Sequence, residues 1–291
     1  MTEDRASAQR QSYAARIERV IAHLEAADLN DAPGLEALSA IAALSPFHFH
    51  RVYRLMTGET LNETLQRIRL ARAVPALEQS IGRATEAAGY ATSQGLARAL
   101  KDGTGHTASD IRRAPDLRAR LSDSLSRPAQ GDAPLSIEIV TAEPLSLTAL
   151  RNVGAYPELN AVYGRLFELV FAELPMESLR GLYGYRHDDP RFVPAAECRA
   201  EAAIDVGGEG ALSGDLYRID IPGGVCARHR HYGDYDAIDP AIDALYAAVI
   251  EAGHELADQP LLFHYLDDPE EVAEADLRCD LWLALSDVAG R

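Results

Sequence analysis

No apolar run in the 291-residue chain approaches the roughly 20 residues that cross a bilayer. The opening MTEDRASAQRQ has no apolar core, so no secretory signal peptide is expected. Cysteine is scarce. Cys198, Cys226 and Cys279 lie far apart without CxxC spacing, which argues against a disulfide framework and for reduced thiols in a cytoplasm. No glycine-rich phosphate loop is present. His229 and His231 share a strand face near Cys226 but lack a second ligand pair at conventional spacing, so neither a metal nor another cofactor is expected. Cys198 and Cys279 have no evident base partner and read as buried structural thiols. What remains is a chain of globular composition, long enough for two domains.

The charge of −17 is unevenly placed. Residues 1–127 hold 17 Arg/Lys against 15 Asp/Glu, a balance of +2, whereas residues 128–291 hold 11 against 30, a balance of −19. An acidic half cannot track a polyanion; the nearly neutral half can if its arginines share a face. The first half is rich in Ala, Leu and Arg, the second in Gly, Tyr and alternating apolar residues. Between them SDSLSRPAQGDAP (Ser122 to Pro134) has linker character. The expected domains are residues 1–120 and 135–291, joined by a linker over 121–134.

In the first half, SPFHFHRVYRLMTGET (Ser45 to Thr60) carries a helix signature: Ser45 to cap, Pro46 at the first position and Gly58 to stop it. Phe49, Val52, Tyr53 and Met56 form one apolar stripe, and Phe47, His50, Arg51 and Arg54 follow the same spacing on another face. The short Ala-rich helix before it (Leu35 to Ser45) completes a helix-turn-helix. The pattern then repeats. RVYRLMTGET aligns without gaps on RALKDGTGHT (Arg98 to Thr107) at a shift of 47 residues, with Arg51 on Arg98 and Arg54 on Lys101. The second helix presents Gln94, Ala97, Arg98 and Lys101 outward and Leu96, Ala99 and Leu100 inward. TLNETLQRIRLARAVPAL (Thr60 to Leu77) reads as a helical spacer. Two such helices on one spacer reach successive major-groove segments, about 34 Å apart.

These residues resemble the DNA-binding domain of AraC-type transcriptional regulators over about residues 13–114. The resemblance implies that Phe47, His50 and Arg51 reach base edges and Arg54 a phosphate, with Ser93, Gln94 and Arg98, and Lys101 behind them, acting likewise in the second copy. Arg pairs bidentately with guanine and Gln with adenine. The second copy departs from the family pattern. Leu96 and Leu100 replace Phe, Ala84 and Thr85 replace an Ile-Ala pair, and Thr107-Ala108 replaces Ser-Pro. Gly95 and Gly103 are expected to interrupt its helix at about 0.8–1 kcal/mol each. Pro75 should bend or end the spacer. Firm binding by the first module and looser binding by the second is the expectation.

The second half is also duplicated. G-x-Y (Gly154 to Tyr156; Gly233 to Tyr235), Asp-Asp-Pro (Asp188 to Pro190; Asp267 to Pro269) and an arginine (Arg199; Arg278) all recur at a shift of 79. Each copy reads as an alternating strand, G-x-Y, a helix, a tyrosine strand ending in Asp-Asp-Pro, and a last strand. Two such α+β units should pair into one sheet with helices on one face. The Asp-Asp-Pro motifs read as turn chemistry before paired catalytic carboxylates.

That order, with PGGVCARHRHYGDY, PLLFHYLDDP and LRCDLWLAL, resembles the GyrI-like effector-binding domain over residues 136–286. The resemblance implies a pocket between the halves with Tyr185 and Tyr265 on the central strands, His231 before the second G-x-Y, and Tyr183 and Trp282 in the wall. Phe263 stands where that family has an acidic residue, which points to an aromatic or apolar effector rather than a cation. The fold expected is therefore multidomain: an all-α double helix-turn-helix followed by a duplicated α+β (SHS2-like) domain. The function expected is a cytoplasmic, ligand-responsive regulator, not an enzyme. Its partners would be double-stranded DNA, a small molecule and, further on, RNA polymerase, with no membrane. The alternatives are a small-molecule hydrolase using His231 or His264, or a binding protein with degenerate DNA contacts.

Overall fold

The computed structural model describes residues 2–29, 33–125, 137–208 and 214–286. The chain divides into two compact units, residues 12–132 and residues 133–291 together with residues 1–11.

The helical unit takes in α1 (Thr2–Ala26) from Ser12 onward, and there Tyr13, Ile17, Val20 and Leu24 recur at helical spacing and are at most 2% exposed. Arg72 closes the end of α1, donating to the Glu25 and Ala27 carbonyls, and Arg69 holds the chain that follows by donating to the Leu29 carbonyl. α2 (Leu35–Ala42) and α3 (Pro46–Thr57) form the first helix-turn-helix. α4 (Leu61–Ala76) is the spacer, and Pro75 falls at its last turn, so the helix ends there. α5 (Ile81–Ala87) and α6 (Ser93–Thr104) form the second pair, followed by α7 (Ala108–Arg113) and α8 (Pro115–Leu125).

The shift of 47 maps α3 onto α6 residue for residue. Both stop at a left-handed glycine, Gly58 (φ 71°) and Gly105 (φ 75°). Thr60 with Glu63, and Thr107 with Asp110, close matching capping boxes on the helices that follow. The expected interruption of α6 does not occur. Gly95 sits one turn inside the helix and donates its N–H to the Thr92 cap at 3.1 Å. Gly103 is where α6 crosses the spacer: a Cβ there would stand 2.6 Å from Leu70 Cδ1. That glycine serves close packing. Leu96 and Leu100 are fully buried with Leu70, Val74 and Ile111. α8 runs to Leu125, past the expected start of the linker at residue 121, and its Leu117, Leu121 and Leu125 pack against this same core. Residues 126–136 lie outside the described residues.

The turn of the first helix-turn-helix carries the only left-handed non-glycine among the described residues, Ala43 (φ 50°, ψ 48°). The second copy uses Gly89 (φ 66°) in the corresponding turn. An L-residue there costs about 1–2 kcal/mol, which exceeds the roughly 0.4–1 kcal/mol of chain entropy that a glycine adds. Ala43→Gly is therefore expected to stabilise the helical unit by about 0.5–1 kcal/mol. Thermal unfolding reads this as a rise of a few degrees in Tm, and an unchanged or lower Tm would count against the strain.

The second unit runs β1 (Glu138–Ala142), β2 (Leu145–Val153), α9 (Leu159–Phe171), β3 (Gly181–Arg186) and β4 (Arg199–Asp205). It then repeats as β5 (Tyr217–Ile221), β6 (Gly224–Tyr232), α10 (Asp239–Glu251), β7 (Leu261–Tyr265) and β8 (Arg278–Ala284). One antiparallel sheet orders them β1-β6-β8-β7-β3-β4-β2-β5. The pseudo-twofold lies between β3 and β7. The first strand of each copy sits on the far edge of the other: β1 pairs with β6 and β5 with β2. These two short edge strands were not anticipated from the sequence. Leu150, Ala202 and Ile204 pack with Leu166 and Val170 of α9, while Leu147, Ala149 and Ala203 lie on the opposite face of the sheet.

Candidate nucleic-acid interface and ligand cleft

On α6, Ser93, Gln94, Ala97, Arg98 and Lys101 are all exposed. Lys101 also donates from Nζ to the Gly105 carbonyl at 2.8 Å, so its charge sits against the C-terminal end of the helix. On α3, Phe47, Arg51 and Arg54 are half-buried. His50, expected on the outward face, is only 8% exposed. Of the stripe Phe49, Val52, Tyr53 and Met56, the first three are buried and Met56 is half-buried.

Behind α3 lies a polar chain that joins three helices. Tyr53 Oη donates to Thr64 Oγ1 at 2.8 Å, Thr64 donates to Glu59 at 3.0 Å, and Arg67 Nε bridges both Glu59 oxygens at 3.0 Å. Arg67 Nη1 reaches the Leu125 carbonyl of α8 at 3.0 Å. Burial pushes the Tyr53 phenol up to about 12, so it remains a donor at all working pH values.

In the sheet unit, the three motifs that recur at a shift of 79 meet in space. The first Asp of each Asp-Asp-Pro clamps the repeated arginine: Asp188 accepts from Arg199 at 2.8–2.9 Å, and Asp267 from Arg278 at 2.7–2.9 Å. The tyrosine of each G-x-Y donates to the backbone of that same Asp and Arg, Tyr156 to Asp188 and Tyr235 to Asp267 and Arg278. The glycine N–H closes the knot on the carbonyl of Cys198 or Leu277, each at 2.9 Å. The second Asp organises the following turn, Asp189 with Arg191 and Asp268 with the Glu270 N–H. These carboxylates hold the strand ends.

Burial alone would raise the Asp188 carboxyl, but hydrogen bonds from Arg199 outweigh it and keep the carboxyl below its usual range. A depressed folded pKa stabilises above the unfolded value of about 3.9 and is lost as pH falls through the folded value. Asp188→Asn is therefore expected to be less stable than the parent at pH 7, with the gap closing below about pH 4. Urea unfolding across that range measures it; a gap of constant size would remove the ionic explanation.

The six residues expected in one pocket fall on two faces of the sheet. Tyr183, Tyr185 and Trp282 line a cavity of about 250 Å³ on the face away from α9, with Leu262, His264 and Cys226. Tyr183 and His264 stack there at 4.4 Å, and burial lowers the His264 pKa, leaving a neutral imidazole. Tyr265 points to the other face, into a larger cleft of about 990 Å³ with Tyr156, Tyr163, Phe167, Arg186 and Tyr235. Phe263 is fully buried on that side, under the Arg186 guanidinium. His231 lines neither space; its Nε2 lies 3.2 Å from the Asp234 carbonyl in the adjoining turn. The reason is register. At a shift of 79, Tyr265 corresponds to Arg186, not to Tyr185, so the two tyrosines have opposite parity on their strands.

The larger cleft is aromatic as well. Tyr163 and Tyr265 meet edge to face at 6.0 Å, Tyr235 lies 5.0 Å from Tyr265, and Tyr163 donates to the Tyr183 carbonyl at 2.7 Å. Burial pushes the Tyr163 and Tyr265 phenols up. The sequence reading missed Tyr163, Phe167 and Arg186; it had Tyr156 and Tyr235 only as members of G-x-Y. Among the described residues no group of three or more His, Cys, Asp or Glu could hold a metal ion, and no helix is long and apolar enough to cross a membrane.

Residues 135–286 match the family model of the GyrI-like small molecule binding domain, and residues 38–114 match that of a helix-turn-helix domain of AraC type. A protein named DNA gyrase inhibitor from Erwinia billingiae (strain Eb661) is 29% identical over 163 residues, 52% of this chain and 98% of that protein. Among solved structures, the EcmrR–DNA complex in EcmrR-RPo is 15% identical, covers 82% of each chain and has a TM-score of 0.45. A hydrolase from Listeria innocua is 12% identical over 53% of this chain and 94% of its own, with a TM-score of 0.40. The two family matches define what the distant likenesses do not: the chain belongs to the GyrI-like small-molecule-binding family and joins that domain to an AraC-type helix-turn-helix domain, as a ligand-responsive DNA-binding transcription regulator.

Proposed function

We propose that α3 and α6 both read DNA, in successive major-groove segments of one site, and that an effector held in the cleft of the sheet unit controls transcription through RNA polymerase in the cytoplasm. The observation that carries the reading is the equivalence of the two modules: recognition helices of identical span, matching glycine stops and matching capping boxes, joined by one spacer helix. On this reading Arg51 and Arg98 contact bases, with Phe47 beside the first and Ser93 and Gln94 beside the second, and Arg54 and Lys101 serve phosphates, while the burial of His50 argues against the base contact expected for it. The intact α6 favours comparable contributions from the two copies over a weak second one.

The effector cleft is proposed as the larger, aromatic one, with Tyr265 from the expected set and Tyr156, Tyr163 and Tyr235 added. An enzymatic role is disfavoured. Burial pushes the Cys198, Cys226 and Cys279 thiols up, away from thiolate chemistry, and the Asp188 and Asp267 carboxylates are occupied by arginines.

The test is a mobility shift of the full chain on DNA from upstream of its own gene, with non-specific competitor and a salt series. A sequence-specific shift that weakens steeply with salt supports the reading. No shift at low salt from a folded protein would remove it.

A further inference from the structure

Arg186 is an unusual residue to find in the floor of an aromatic cleft. It ends β3 on the helix-side face, and its guanidinium carbon lies 4.8 Å from the ring centres of both Tyr156 and Phe263. Guanidinium stays charged at any working pH, and burying it without a counter-charge is costly. Among the described residues no carboxylate lies within 4.0 Å of it, and its buried Nε has no hydrogen-bond partner. The two π-faces stabilise the cation but leave its Nε donor open.

The acidic residues around the cleft do not fill that role. Asp267 is clamped by Arg278, and Asp268 accepts from the Glu270 N–H. Asp236, Glu270 and Glu271 are exposed at the margin. The Tyr265 hydroxyl is the first polar group to act on the guanidinium, and Asp239 acts on it through space. Where the resemblance would place a carboxylate for a cationic ligand, Phe263 stands with no charge. The polarity of the site is thus reversed: aromatic walls surround a fixed positive charge whose Nε donor has no partner.

We propose that the cleft takes an aromatic carboxylate, its ring among Tyr163, Tyr235 and Tyr265 and its carboxylate on Arg186. The inference rests on the reading of this cleft as the effector site. Arg is the residue suited to planar, bidentate carboxylate recognition, and such charge-assisted bonds strengthen where water is excluded. The bound anion would supply a counter-charge in direct contact, which the protein provides only at a distance through Asp239.

The experiment compares three probes of one shape by calorimetry on the full-length protein: 2-naphthoate, 2-naphthamide and 2-naphthylmethylammonium. The expected order is naphthoate tightest by at least tenfold over the amide, with the ammonium weakest. Arg186→Met should abolish the preference for naphthoate while keeping amide binding, and Arg186→Lys should keep part of it. Trp282→Phe, which alters the cavity on the other face, should leave the preference unchanged. Equal binding of the three probes by the parent, or a preference for the ammonium, overturns the anion while leaving an effector cleft standing. Loss of the preference in Trp282→Phe but not in Arg186→Met would place the anion in the other cavity and overturn the assignment to Arg186. Binding of none of the three at millimolar concentration would overturn both the anion and the effector reading.

Discussion

Arg51→Ala and Arg98→Ala are each expected to weaken binding to the specific site by about 1–3 kcal/mol, roughly 5- to 150-fold, while changing non-specific binding little. A base-reading arginine loses two hydrogen bonds to one guanine, so the loss should concentrate at one base pair in each half of the site. The sequence suggested a smaller loss for Arg98, since two glycines interrupt its segment. The structure removes that reason: α6 is continuous, Gly103 allows a close crossing with α4, and the α6 residues proposed to read DNA are exposed. Titration on a full site and on sites with either half scrambled measures both losses. A loss for Arg51→Ala with none for Arg98→Ala would show that α6 is a structural copy only.

Arg67→Ala is expected to destabilise the helical unit by about 3–5 kcal/mol, the cost of leaving one member of a buried ion pair alone. Arg67 and Glu59 are 9% and 14% exposed, so water replaces the lost partner poorly. The damage spreads because Glu59 also accepts from Thr64, which in turn accepts from Tyr53, and because Arg67 ties α8 to the spacer. Tyr53→Phe should cost less, about 1–3 kcal/mol, since it removes one donor and leaves the pair intact. Chemical denaturation of the full chain, followed in the helical signal, measures both. A loss below about 1 kcal/mol for Arg67→Ala would mean that the pair contributes little beyond its desolvation.

The legible features were those that repeat along one dimension. The shift of 47 recovered two recognition helices and their stops because capping and stop signals are local: Thr60 with Glu63 and Gly58 act within one turn. The shift of 79 found G-x-Y, Asp-Asp-Pro and the arginine, although their convergence into one hydrogen-bonded knot was not apparent from spacing. Strands β1 and β5 escaped notice because short edge strands carry weak alternation, and their pairing partners lie in the opposite copy.

Side-chain direction was the part misjudged. Tyr183, Tyr185, Tyr265 and Trp282 were grouped by residue type, but a strand alternates its faces, and the pairing of Leu182 with Tyr265 puts Tyr265 opposite in direction to Tyr183 and Tyr185. The shift of 79 already held that information, since it matches Tyr265 with Arg186.

The amino-acid sequence by itself determined two domains, one nearly neutral and one strongly acidic, each internally duplicated, with the residue types suited to DNA recognition in the first. Local propensities, caps and periodicity suffice for that. Tertiary structure alone decided that β1 and β5 exchange across the sheet, that Gly103 is a packing contact, and that Arg186 stands among aromatic rings without a carboxylate beside it. Each of these depends on which groups, distant along the chain, come within a few ångströms, and neither propensity nor spacing encodes that distance.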